Sequence, residues 1–175
     1  MPRHTACRLL ACLALLLSIF LLQPAETAGA TTPRLIVYHG FGKSMWRAET
    51  HLGQLRGTSR AFRRFVRARQ NHLWVQAGRR SRCAHAALVM VKEYRTDGFA
   101  RISDEGMFQH RGPVSCADGG AEAIWALSGG RWRELAMAQS PGYDCRMLNH
   151  YRVPSSIAGH QCDDEYGNLV PYSRS

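Results

Sequence analysis

The sequence predicts an α+β domain: one amphipathic helix packed on a small antiparallel β-meander of four or five strands, held by disulfides. Three observations predict it. Residues 58–73 carry apolar side chains at helical spacing, two later stretches read as β-hairpins, and four cysteines lie beyond an apolar leader.

The leader comes first. Arg3 and Arg8 precede an apolar run from Leu9 to Leu22, and the first acidic residue is Glu26. A charged start, a short apolar core and small residues after it form the pattern of a cleavable secretory signal. Gln23-Pro24 breaks the run and Ala28-Gly29-Ala30 supplies the small residues, so cleavage is expected near Ala30, with Ala28 as the alternative. The run is short of the ~20 residues that span a bilayer. Cys12 lies too near its start for a lipidation box, and no twin arginine is present. The chain is expected to be secreted or extracytoplasmic.

Removal of residues 1–30 leaves about 145 residues, enough for a single domain with a core. It also removes Cys7 and Cys12. The remaining Cys83, Cys116, Cys145 and Cys162 are an even set, which in an oxidising compartment implies bridges. Cys83–Cys116 and Cys145–Cys162 are the favoured pairs because each closes a modest loop. No close cysteine pair of the C-x-x-C kind exists, so a zinc site is not expected, nor any other metal or cofactor.

Three regions follow. Residues 31–57 form a poorly defined arm, with Leu35-Ile36-Val37-Tyr38 as a short strand and His39-Gly40-Phe41-Gly42 as a turn. Residues 58–175 form the single α+β domain. In its helix Phe62, Phe65, Val66 and Leu73 share one face, and Arg60, Arg63, Arg64 and Arg67 the opposite one, with Thr58 or Ser59 as N-cap. Ala86 to Tyr94 reads as a strand, Thr96-Asp97-Gly98 as a turn and Phe99 to Ile102 as the returning strand. Ser103 to Gly120 reads as a loop pinned by Cys116. Glu122 to Ser128 and Arg131 to Ala138 read as a hairpin across Gly129-Gly130. Ala123, Trp125 and Leu127 are expected on one face, and Leu135 and Met137 on a shared one. Trp125 and Trp132 are assigned to core packing. A short helix is expected around Cys145 to His150, an extended stretch over Val153 to Gly159, and a last strand within Leu169 to Tyr172.

Several tempting motifs fall short. Residues 34–42 look like the strand and His-Gly turn of an oxyanion hole, but no G-x-S-x-G follows. Seven histidines remain beyond the leader: His39, His51, His72, His85, His110, His150 and His160. None makes H-x-H or H-x-x-x-H. Cys145 with His150 would suit a thiol nucleophile only if the thiol were free. Residues 163–168 are acidic, but their spacing is not that of a calcium loop. Asp144 and Asp163 are a conceivable carboxylate pair whose separation the sequence leaves open.

The chain carries 23 Lys and Arg against 13 Asp and Glu. Only Lys43 and Lys92 are lysines. Positive charge favours anionic polymers, acidic lipid headgroups or acidic proteins. Nucleic acid is not expected for an exported chain.

Tyr94-Arg95-Thr96-Asp97-Gly98-Phe99-Ala100, Ala123-Ile124-Trp125-Ala126-Leu127, Gly130-Arg131-Trp132-Arg133-Glu134, Tyr143-Asp144-Cys145, Val153-Pro154-Ser155-Ser156-Ile157-Ala158-Gly159 and Cys162 occur in that order. The set resembles a group of small exported actinobacterial proteins of unknown function, over roughly residues 82–172. Those proteins often have Cys-Gly-Gly where this chain has Cys116-Ala117-Asp118-Gly119-Gly120. The resemblance implies an exported, disulfide-bonded domain and no activity.

The leading expectation is therefore a non-enzymatic, monomeric exported protein. Arg60, Arg63, Arg64 and Arg67 would bind an anionic cell-envelope polymer or lipid headgroups. An inhibitor or binding protein for a secreted enzyme, presenting the 103–120 loop, is the first alternative. A small secreted hydrolase is the second.

Overall fold

Helix α1 runs from Arg60 to Gln76. Its start is set by Ser59, which is extended and whose Oγ accepts from the amide of Phe62 at 3.0 Å. Side-chain capping satisfies one of the four amides a helix leaves open at its N-terminus. Phe62, Val66 and Gln70 recur every four residues and are all buried. The helix runs three residues beyond Leu73, because Trp74 still has an apolar surface to meet. A computed structural model describes residues 32–48, 52–108, 116, 119–139 and 142–175. The expected leader at 1–30, with His51 and His110, lies outside them.

Helix α1 covers one face of an antiparallel sheet. Its strands are β1 (Leu35–Val37), β2 (Lys43–Trp46), β3 (Ala87–Arg95), β4 (Phe99–Met107), β5 (Gly120–Ser128) and β6 (Arg131–Ala138). The order is β1-β3-β4-β5-β6, and β2 also pairs with β3. The sheet therefore exceeds the expected meander. The arm at 31–57 is the reason: β1 and β2 pair with successive halves of β3, from Leu35↔Arg95 to Trp46↔Leu88. Between them the chain loops out at His39–Gly42. A Cβ on Gly42 would stand 2.6 Å from the carbonyl oxygen of Val91, and its φ is +113°, so only glycine fits. Pro33–Ser175 forms one compact unit.

Two strands correct the sequence reading. Strand β4 continues to Met107, so Ser103–Met107 is sheet rather than loop. Strands β5 and β6 turn through Gly129 and Gly130, both with positive φ. Their register shifts at Ile124/Trp125, where Ile124 faces Ala136 and Trp125 faces Glu134. Leu135 is the extra residue of this bulge. It packs on the far side of the sheet while Met137 is 49 % exposed, so the two do not share a face. Leu127, expected beside Trp125, is 43 % exposed.

The first core lies between α1 and the sheet. Phe62 sits at its centre, with ring centroids 4.8 Å from Tyr94 and Trp132 and 6.1 Å from Trp125. Both tryptophans are core residues. The second core lies on the opposite face, where Ile124 meets Leu148, Val153, Ile157 and Tyr172. These come from α2 (Cys145–His150), the turn α3 (Ser155–Ala158) and the chain end. Helix α3 replaces the extended stretch expected at 153–159: Pro154 starts a turn that buries Ile157 and Ala158. Strands β7 (Gln161–Asp163) and β8 (Leu169–Pro171) make a separate two-stranded sheet.

Both expected disulfides are present. Cys83 and Cys116 have their Cα atoms 5.4 Å apart, and Cys145 and Cys162 5.1 Å. The first bridge closes a small core with Ala86, Ala87 and Met107.

Candidate functional site

The expected arginine stripe divides. Arg60 and Arg64 are exposed, but Arg63 and Arg67 are half-buried. Arg63 donates to the carbonyl of Thr58 at 2.5 Å, and Arg67 to the carbonyl of Arg47. Those two guanidiniums hold loops against the helix.

A fifth arginine of α1 does something else. Arg69 lies one turn after Phe65 and Val66, on the side that meets the sheet. Its Nη2 donates to Oε1 of Glu105 and, at 2.7 Å, to Oε2 of Glu134. Glu105 comes from β4 and Glu134 from β6, and β5 between them presents alanines, Ala121 and Ala123. The small side chains leave room for the three charges to meet above β5. The Glu105 side chain is 0 % exposed, against 18 % for Arg69 and 28 % for Glu134. Burial pushes the Glu105 carboxyl up to about 7, and Glu134 adds to this while Arg69 opposes it.

The three charges line a cavity of about 340 Å³ between α1, the β4–β5 end of the sheet and β6. His72, Leu73, Gln76, Met137 and Gln139 complete its walls. Its base is backbone at Gly106, Gly119 and Gly120. A Cβ on Gly106 would stand 2.0 Å from the carbonyl oxygen of Gly119. Gly106→Ala should therefore break the Gly106↔Gly120 pairing and lower the melting temperature by several degrees, about 1–3 kcal/mol. Thermal unfolding followed by circular dichroism checks this; an unchanged midpoint would refute the close approach.

The other face of the sheet carries a second polar group. Arg101 pairs with Glu122 at 3.1 Å. Burial raises the carboxyls of Glu93 and Asp104 and the phenol of Tyr143. A cavity of about 360 Å³ lies beside Asp104 and Glu122.

The other tempting residues are occupied. Cys145 is bridged and offers no thiol. The carboxylate of Asp144 accepts from the amides of Arg146 and Met147, capping α2, and its backbone bridges to Asp163. Asp164 accepts from the amides of Tyr166 and Asn168, which hold its carboxyl low. Residues 163–168 are thus a self-bonded turn between β7 and β8. The His-Gly turn at 39–42 links two edge strands. Among the described residues no group of three or more His, Cys, Asp or Glu is arranged to hold a metal.

Sequence reasoning missed the Arg69 cluster. One signal was present: Arg69 falls on the apolar face, three residues after Val66 and four before Leu73, where a charge requires a buried partner. No family model, curated protein or solved structure matches the chain.

Proposed function

We propose that this protein works outside the cytoplasm, after loss of residues 1–30, as a non-enzymatic binder of an anionic envelope polymer. The two bridges suit an oxidising compartment. Among the described residues no helix is long and apolar enough to cross a membrane. The resemblance to small exported actinobacterial proteins agrees with this reading.

One observation carries it: the acids turn inward and the arginines outward. Arg34, Arg56, Arg60, Arg64, Arg79, Arg80, Arg82, Arg131, Arg133, Arg146 and Arg152 are exposed, while Asp97, Asp144 and Glu165 are the exposed acids among the described residues. Glu105, Glu122 and Glu134 are held in ion pairs. The outer surface is therefore more cationic than the net charge of +10 implies. The densest part is the start of α1. Arg56, Arg60 and Arg64 follow one another there, and the Arg34 guanidinium comes within van der Waals reach of Gly57. The first turn of α1 holds no acid, so the helix dipole adds to the same potential.

Retention on a polyphosphate or sulfated-polysaccharide column tests the proposal. The protein should elute only well above physiological salt. The variant Arg34→Glu/Arg56→Glu/Arg60→Glu/Arg64→Glu should elute at markedly lower salt, with its fold intact. The control Arg131→Glu/Arg133→Glu should move less. Elution of the unmodified protein below physiological ionic strength would sink the reading.

A further inference from the structure

The Arg69 cluster has an unequal charge count, and the inequality faces a cavity. Two carboxylates, Glu105 and Glu134, share one guanidinium nitrogen. That nitrogen engages one oxygen of each. The second oxygen of Glu105, Oε2, is buried and has no hydrogen-bond partner among the described residues. Glu105 is only 2 % exposed, yet it lines the cavity wall. Burying a carboxylate oxygen without a donor costs several kcal/mol, so such an atom marks a missing partner. At low pH a proton supplies it. At higher pH the ionised pair faces the single charge of Arg69 with one negative charge in excess.

The surroundings define which cation would balance it. Among the described residues, the charged or titratable groups that line the cavity can be named. Helix α1 offers Arg69, already engaged, and His72 at the rim, which takes part in neither ion pair. Strand β4 offers Glu105, β6 offers Glu134, and β5 offers none. Leu73, Met107 and Met137 give the cavity apolar walls, and Gln76 and Gln139 give it amides. About 340 Å³ admits a small organic group but not a folded domain. A mixed lining, with Leu73, Met107 and Met137 beside the two carboxylates, suits a short alkyl stem ending in a compact cationic head.

We propose that this cavity binds a primary ammonium or a guanidinium on a short apolar stem, the cationic head bonding Glu134 beside Arg69 while the buried Glu105 carboxylate supplies the second negative charge. The ligand completes a cluster of two negative and two positive charges. The site stands apart from the cationic outer surface and has the opposite preference: the surface attracts polyanions, and the cavity admits one small cation. A free amine, a basic peptide side chain or an amino sugar would present the same head.

Binding by the cation displaces the proton on Glu105, so affinity depends on pH with a fixed sign. Ionised Glu105 is the binding form, and it grows as pH rises through about 7. Between pH 6 and pH 8 affinity should rise about tenfold, and near pH 6 binding should release close to one proton per site.

Titration calorimetry with n-butylammonium and with methylguanidinium tests this, using n-butanol and butyrate as the uncharged and anionic controls. Runs in buffers of different ionisation enthalpy read the released proton. Saturable one-site binding of either cation, tightening with pH and releasing a proton, is the expected result. Glu134→Gln should weaken it at least several-fold. Glu105→Gln, which keeps the shape of the protonated acid, should bind weakly at every pH and release no proton. His72→Ala is the control at the rim: proton release should persist in it. Three results would overturn the proposal: no saturable binding of either cation at pH 8, equal binding of butanol or butyrate, or displacement of the amine by calcium at one ion per site, which would reassign the carboxylates to a metal.

Discussion

Replacing Phe62 by alanine should destabilise the protein by about 3–5 kcal/mol, the range for a large aromatic truncated in a core that cannot collapse. The reason lies in what surrounds it. Phe62 is fully buried and touches three other rings, Tyr94, Trp125 and Trp132. Each has other contacts: Trp125 packs edge-on against Phe65 at 4.9 Å, the Tyr94 hydroxyl accepts from the amide of Ser59 at 3.2 Å, and the Trp132 ring lies 5.9 Å from that of Tyr94. None can move into the space without giving up its own contacts. Phe62 is also the residue whose amide Ser59 caps, so the same residue fixes where α1 begins and where it sits. Urea unfolding with the disulfides intact measures the loss. Leu127→Ala, on the exposed end of β5, should cost well under 1 kcal/mol and serves as the comparison. Equal costs at the two sites would mean that Phe62 is not the centre of the core.

The second large effect is a pH dependence set by Glu105. Its carboxyl titrates near 7 in the folded protein and near 4.5 when unperturbed. Between these values the native state holds a proton that the unfolded chain has lost. Stability must then fall as pH rises across that window, by up to about 3 kcal/mol, and is greatest on the acid side. Burial also raises Glu93 and Asp104, which contribute with the same sign. Glu105→Gln fixes the uncharged form. At pH 8 it should be more stable than the parent by about 1–3 kcal/mol, and the advantage should vanish below about pH 4.5. Glu134→Gln removes the neighbouring charge and should move the inflection to lower pH. Thermal or urea unfolding from pH 4 to 9 measures all three proteins. A parent stability that rises between pH 5 and pH 7 would contradict the buried-acid account.

Much of this fold was legible because it rests on local signals. The helix announced itself through its 3.6 period and its serine cap, and the hairpins through Thr96-Asp97-Gly98 and Gly129-Gly130. The disulfides followed from an even cysteine count and short loops. What escaped depends on partners distant in the chain. Strand β1 was read in Leu35-Ile36-Val37-Tyr38, but β2 has four residues, too few for a period, and exists because β3 is long enough to receive both. The bulge at Leu135 inverts a face without any glycine or proline to mark it. Strand β4 was cut short because Gly106, Gly112, Pro113, Gly119 and Gly120 make residues 103–120 read as a loop, although Glu105 is buried. The candidate site was illegible for the same reason. Arg69 was one arginine among five on its helix, and only the fold shows that its carboxylates come from two strands on either side of a third.

The pairing of the cysteines has a consequence for how the chain is made. Cys83, Cys116, Cys145 and Cys162 join first to second and third to fourth, so their loops are consecutive and neither crosses the other. Under the proposed export, with residues 1–30 removed, Cys116 would emerge while Cys83 is the only free thiol ahead of it. Cys145 would then meet a chain whose earlier thiols are already spent. Under that proposal an oxidant acting in order of arrival would reach the native bonds directly, with no disulfide to rearrange.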